Sequence, residues 1–250
     1  RNLQKQIEKK FFKNKAIVII GARQTGKTTL VESILSSRKE KVLRFNGDEA
    51  DTNDILDKPT VTKLKNLIKG CKIIFFDEAQ KINNIGTVIK LIVDNLKGVQ
   101  VIASGSSSFD LMNNLNEPLT GRKYEFNLYP LSFNELTNNF GLIDEKRNLE
   151  NRLVYGSYPD IVTNPDESEE LLRLLAGSYL YKDLLMLEQI KKPVLLEKIL
   201  KALALQIGNE VSYSELSSLV ESDKKTVEKY IDLLEKTYTV FRLPALNKNV

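Results

Sequence analysis

Between residues 16 and 128, short runs of apolar, β-branched and aromatic residues alternate with longer stretches whose apolar positions recur every three or four residues. The runs at 16–20, 41–45, 72–76, 99–103 and 124–128 have the length of strands. Those at 16–20 and 73–76 are apolar throughout, as strands covered on both faces must be. The intervening segments, such as 27–36 and 87–96, have helical spacing and lengths suited to right-handed crossovers. The pattern predicts a doubly wound α/β domain with a parallel sheet.

Beyond Tyr129-Pro130 the strand-like runs stop, and Leu-rich helical stretches continue to Asn209. The clearest predicted helices there are 168–190 and 193–207, the second carrying Pro193 in its first turn, where a missing N–H costs nothing. Two short amphipathic helices follow, 212–220 and 224–236, split by Glu221-Ser222-Asp223 with Asp223 as N-cap. A strand-like run at 239–243 comes next. Two helices on a short turn and then a strand predict a winged helix-turn-helix. The expected organisation is an N-terminal helix over 1–15, an α/β core over 16–130, an all-α unit over 131–209 and the winged helix over 210–250. No internal repeat or low-complexity tract interrupts it.

Composition narrows the chemistry. At 250 residues, 42% apolar and 28% charged, the chain has the make-up of a folded protein with room for a core and a smaller second unit. No apolar run nears the roughly 20 residues that span a bilayer, and no signal-peptide pattern opens the chain, so a cytoplasmic location is expected. Cys71 is the sole cysteine and cannot form an internal disulfide. The absence of histidine excludes His-based triads, His general bases and His metal sites. The chain opens on Arg1 rather than methionine, which is consistent with a start inside a longer gene product.

The net charge of +4 is unevenly placed. Residues 1–15 carry six cations against Glu8 alone, with Leu3, Ile7 and Phe11 forming an apolar stripe. The stripe predicts a docking helix with a solvated lysine face; the sharper alternative makes that face a surface for phosphates of nucleic acid or acidic lipid. Residues 210–250 hold seven acids and six cations, so the winged helix lacks the cation excess of a DNA binder. Lys224, Lys225 and Lys229 still cluster at the start of its second helix. A protein-contact role is favoured there over DNA contact.

Gly21-Ala22-Arg23-Gln24-Thr25-Gly26-Lys27-Thr28, followed by Thr29, matches the P-loop pattern of two spaced glycines, lysine and a hydroxyl residue. The glycines let backbone N–H groups curl around a β-phosphate, Lys27 bridges β- and γ-phosphates, and the Thr28 hydroxyl ligates magnesium. The loop follows an apolar strand and opens a helix, whose N-terminal dipole also favours the anion. Further on, Ile73-Ile74-Phe75-Phe76-Asp77-Glu78 ends a buried strand in adjacent carboxylates. Asp77 is placed to hold magnesium through water and Glu78 to polarise the attacking water. Ser104 and Ser106, after the fourth run, are candidates to touch the γ-phosphate or the water, with Ser106 preferred. Ser104-Gly105-Ser106-Ser107-Ser108 reads equally as a turn capping the next helix. Arg122 in Thr120-Gly121-Arg122-Lys123 is a candidate arginine finger for a neighbouring subunit, with Arg23 a weaker one.

The strings GARQTGKTTL, FFDEAQKI, ASGSSSFDL, LTGRKYEFNLYPLSFNEL and GSYPDIV, spread over residues 21–162, resemble a family of mostly uncharacterised archaeal and bacterial ATPases in the AAA superfamily. The resemblance implies an AAA-like P-loop NTPase core with the P-loop strand central, then a helical lid and a winged helix. It also implies Asp77 and Glu78 as the metal-binding and catalytic pair, and ATP with Mg2+ as the nucleotide; no Asn-Lys-x-Asp guanine motif occurs. Many members continue into a nuclease-like domain, which is not found before Val250. The expected activity is hydrolysis of Mg-ATP to ADP and phosphate, driving the lid and winged helix against the core in work on a protein or nucleic-acid partner. The alternative is a nucleotide-gated DNA-binding switch with little hydrolysis, using the winged helix or the basic N-terminal helix. A homo-oligomer that delivers Arg122 is a third possibility.

Overall fold

The computed structural model describes residues 1–106, 118–180 and 192–243. Strands β1 (Ala16–Gly21), β2 (Val42–Asn46), β3 (Ile73–Asp77), β4 (Gln100–Ser106) and β5 (Lys123–Asn127) form one sheet in the order β2-β3-β4-β1-β5. Every pairing is parallel. All five runs read from the sequence are strands, with ends shifted by a residue and β4 carried on to Ser106. The register sets Gly21 opposite Ser106 and Asn46 opposite Asp77, which aligns the C-terminal ends of β1, β4, β3 and β2 along one edge. Loops leaving that edge are where an open parallel sheet places its ligands.

The apolar runs are buried on both sides. Ile17, Ile19, Ile73, Phe75 and Ile102 pack on one face against Leu30, Val31, Ile34 and Leu35 of α2 (Lys27–Ser36) and Ile7 of α1 (Leu3–Glu8). Residues of the other parity, among them Val18, Ile20, Ile74, Phe76, Val101 and Ala103, are equally buried. After α3 (Ala50–Leu56) and α4 (Val61–Leu67), α5 (Ile85–Asn95) packs on β4. The N-terminal stripe docks as its spacing predicts: Ile7 is fully buried and Phe11 nearly so, with the Arg38 guanidinium 3.6 Å over its ring. Helix α1 is shorter than the expected 1–15, ending at Glu8, and positive φ angles at Phe12 and Asn14 follow. Lys5, Lys9, Lys10 and Lys13 are exposed, and the Lys10 and Lys15 ammonium groups lie 4.8 and 5.3 Å from the centre of the Tyr124 ring.

After β5 the chain is helical: α6 (Phe133–Phe140), α7 (Leu142–Arg147), α8 (Leu149–Tyr155), α9 (Pro159–Thr163) and α10 (Ser168–Leu174). Ser132 and Glu135 form a capping box at the start of α6. Glu145 is fully buried and held by both arms of Arg152, at 3.0 and 3.2 Å. The helix expected over 168–190 does not continue regularly. The turn Leu175–Leu180 is π-helical around the weak helix former Gly177, and residues 181–191 lie outside the described residues.

The chain divides into two compact units, 1–173 and 174–250; the boundaries read from the sequence at 130 and 209 fall inside them. In the second unit α11 (Pro193–Leu205), α12 (Tyr213–Leu219) and α13 (Lys224–Lys236) enclose a core of Leu196, Ile199, Leu216, Val227 and Leu234. Asp223 caps α13 as expected, accepting from the Thr226 N–H at 2.9 Å. The strand expected at 239–243 is not formed. The backbone turns at Tyr238 with φ 58°, and the described residues offer those positions no second strand to pair with. Among the described residues no helix is long and apolar enough to cross a membrane.

Candidate functional site

The loop joining β1 to α2 is shaped by two glycines for different reasons. A Cβ on Gly21 would lie 2.1 Å from the Leu128 carbonyl oxygen, on a backbone segment whose N–H bonds Ile20 at 2.7 Å. Gly26 has a φ of 86°, the left-handed conformation that only glycine adopts without strain, and Gln24 shares it at 58°. This turn delivers the loop into the N-terminus of the ten-residue α2. The Thr25 hydroxyl donates to the Ala22 carbonyl at 2.9 Å. Lys27, only 6% exposed, donates from Nζ to the carbonyls of Gly21 at 3.0 Å and Ala22 at 2.7 Å, folding its charge back over the loop. Thr28 and Thr29 are exposed on the first turn of α2, and Arg23 is half-buried in the loop.

Asp77, the last residue of β3, meets this turn. Its Oδ2 accepts from the Thr28 hydroxyl at 2.8 Å, while Oδ1 accepts from the Glu78 N–H at 3.1 Å and from the Ser104 hydroxyl. The carboxylate is fixed from three sides. A threonine hydroxyl and one carboxylate oxygen side by side are hard oxygen donors that fit Mg2+, which takes one or two protein ligands and keeps the rest for phosphate and water. Among the described residues no group of three or more Asp, Glu, Cys or His stands ready to cage an ion.

Glu78 turns sharply at the strand end with φ 45° and ψ 43°. Its carbonyl sits where a Cβ on Gly47 would come within 2.3 Å, and Gly47 N–H bonds the Asp77 carbonyl at 2.9 Å. From Glu78 the chain enters a 3₁₀ turn, Ala79–Lys81, which swings Gln80 back: its Nε2 donates to Glu78 Oε2 at 2.5 Å and to Ser106 Oγ at 3.1 Å. Both serines expected near the loop are there, Ser104 on Asp77 and Ser106 opposite Gly21. Ser107 and Ser108 lie outside the described residues.

Arg122 is not brought to this loop. Its carbonyl accepts from Ala16 N–H at 2.8 Å at the start of β1, and its guanidinium bonds Asp94 at 2.8 Å. The strand separating Ala16 from Gly21 is ~16 Å long, beyond an arginine's reach. Residues that sequence reasoning passed over do reach the loop. Arg1 donates to the Thr25 carbonyl, to Tyr129 O at 3.3 Å and to Glu135 at 3.2 Å, and Pro159 lies 3.8 Å from the point where a Cβ on Gly26 would stand. Burial raises the pKa of Glu135, but the N–H groups of Ser132 and Asn2 and the charge of Arg1 outweigh it and hold the carboxyl below its ordinary value. Their only signal in the sequence is that Tyr129, Glu135 and Pro159 fall within the family-like strings at 119–136 and 156–162.

Comparison with known proteins bears on the family and the fold. A model of the AAA domain matches residues 13–137, half of the chain, and a domain of unknown function matches residues 146–250. Uncharacterized protein MJ1544 of Methanocaldococcus jannaschii is 25% identical over 96% of this chain and 59% of its own length. An uncharacterized protein of Haemophilus influenzae is 25% identical over 90% of the chain and 61% of its own length. The chain thus spans about three fifths of the curated relatives it matches. The Walker-type ATPase of Pyrococcus abyssi superposes with a TM-score of 0.61 at 16% identity, over 95% of this chain and 89% of that one, and shares its fold. With the P-loop, the carboxylate pair and a five-stranded parallel sheet of order β2-β3-β4-β1-β5, this chain belongs to the AAA-domain family of P-loop NTPases.

Proposed function

We propose that the chain binds Mg-ATP at the loop 21–29 and hydrolyses it to ADP and phosphate, driving conformational work on a protein or nucleic-acid partner. The observation that carries this reading is the Thr28–Asp77 hydrogen bond at 2.8 Å, which joins the phosphate loop to the carboxylate strand with Lys27 and Glu78 next to it. Lys27 exchanges its two carbonyl partners for β- and γ-phosphate oxygens, a gain because a buried ammonium is better matched by anions than by amide dipoles. Thr28 and Asp77 would hold the magnesium ion, which supplies neutralisation of the phosphate charge. Glu78 accepts a proton from the attacking water as the bond from γ-phosphorus to the bridging oxygen breaks, and the proton leaves with the phosphate.

Several finer assignments belong to the same proposal, with family membership and fold in their support. The base is adenine, the helices of residues 133–173 serve as the lid, and the α12–α13 pair serves as a helix-turn-helix. Arg122, at the far end of its own sheet, acts only on a neighbouring copy after leaving Asp94. The test is phosphate release from ATP and GTP in magnesium. Glu78→Gln keeps nucleotide binding and loses ~10²- to 10⁴-fold in turnover, while Lys27→Ala loses binding. Equal turnover in parent and both variants would sink the assignment.

The exposed lysines of the N-terminal segment favour a second reading, a nucleotide-gated DNA-binding switch. Duplex DNA binding that responds to ATP at low salt, without turnover, supports it. No detectable binding with or without ATP removes it.

A further inference from the structure

Gln80 is a carboxamide joined to two residues of the site and still incompletely bonded. Its NH2 group must be the one facing Glu78, because an ionised carboxylate only accepts; the orientation that leaves Nε2 on Glu78 Oε2 and Ser106 Oγ is therefore fixed by chemistry. The carbonyl oxygen of the same side chain is buried and has no donor among the described residues. A buried, unanswered acceptor needs an explanation. The backbone around it is set for this placement: Glu78 is left-handed at φ 45°, backed by the carbonyl contact that makes Gly47 obligatory, and the 3₁₀ turn returns residue 80 to residue 78. Ser106 stands opposite Gly21, the first residue of the phosphate loop.

We propose that Gln80 is a positioning residue for the hydrolysis proposed above: its amide ties the Glu78 carboxylate to Ser106 and so fixes the direction of the carboxylate that takes the proton of the attacking water. Glu78 alone has the freedom of a long side chain. With one oxygen held by Gln80, its other oxygen is restricted in direction. Ser106 anchors the carboxamide from the loop side, so the three side chains act as one unit. The inference rests on the ATPase reading.

The test compares kcat, KM and the Kd for Mg-ATP in the parent, Glu78→Gln, Gln80→Ala, Gln80→Glu, Ser106→Ala and the double variant Gln80→Ala/Ser106→Ala. Loss of an outer-shell partner costs ~10- to 100-fold. Gln80→Ala is expected to lower kcat by that factor with KM and Kd unchanged. Gln80→Glu, nearly isosteric but unable when ionised to donate to Glu78, falls at least as far. The double variant is no slower than Gln80→Ala, since both substitutions cut one chain of bonds. Unchanged Mg-ATP affinity shows that the variants are folded at the site. Turnover abolished by Glu78→Gln but untouched by Gln80→Ala overturns the role of Gln80 and leaves the ATPase standing. So do losses that multiply in the double variant, or a loss of Kd with kcat intact. A parent without turnover, or turnover that survives Glu78→Gln, removes the reaction and the role of Gln80 with it.

Discussion

Replacing Gly21 by alanine separates two reasons for a glycine at the head of the loop. If the residue served only to admit phosphate, Gly21→Ala would be silent without nucleotide. The structure says otherwise: the new methyl would stand 2.1 Å from the Leu128 carbonyl oxygen, well inside the 3.0 Å that Cβ atoms essentially never breach. The obstacle is backbone, and it cannot rotate away. Leu128 is itself buried and its N–H is bonded to Ile20, so the strand end must shift and strain that bond. Overpacking plus a weakened hydrogen bond costs about 2–4 kcal/mol. For a unit of this size that is a fall in Tm of ~4–16 °C. The assay is thermal unfolding followed by far-ultraviolet circular dichroism in the presence of a chelator and no nucleotide, so that ligand binding contributes nothing. Gly26→Ala is the companion, because its methyl meets nothing closer than 3.8 Å and carries only the left-handed backbone cost of ~1–2 kcal/mol. A nucleotide-free Tm for Gly21→Ala equal to that of the parent would refute the packing argument.

Phe11→Ala removes a nearly buried ring wedged between the sheet cluster and Arg38, and is expected to cost about 3–5 kcal/mol in urea unfolding while leaving Mg-ATP affinity intact. Glu135→Gln tests the tie between Arg1, the N-terminus of α6 and the loop. Because folding lowers the pKa of Glu135 below its ordinary 4.5, its stabilisation is complete above that value and is lost as pH falls through the folded one. The variant is therefore less stable than the parent at pH 7, and the gap closes as pH falls through the lowered pKa of the folded state; a gap that persists in acid would assign the effect to shape instead.

Local pattern carried most of the core. Apolar runs ending in glycine or aspartate marked β1 and β3, and the P-loop spacing marked the loop, because each is dictated by residues adjacent in the chain. Gln80 was hidden for the opposite reason: only a left-handed residue followed by a 3₁₀ turn brings position 80 back onto 78, and no periodicity announces that. The close approach that requires Gly21 comes from Leu128, more than a hundred residues away. The placement of Arg122 was legible in principle, since it directly precedes a strand parallel to β1, whose first residue Lys123 pairs with Ala16 at the end opposite the loop. The helix read across 168–190 gave way to a π turn because summed helix propensity says little about a single glycine within it. The strand read at 239–243 finds no partner among the described residues, since β-propensity describes a residue and pairing takes two segments.

The sheet order also governs how the protein is made. β1 is hydrogen-bonded only to β4 and β5, both synthesised long after it. At ~5–20 residues per second, Ala16–Gly21 emerges and waits roughly 5–20 s before Asn127 completes its second neighbour. For that interval one of the most apolar segments of the chain is an unpaired strand with aggregation-prone chemistry. The early docking of Ile7 and Phe11 against α2, all within the first 36 residues, offers a local shelter while the rest of the sheet is still on the ribosome.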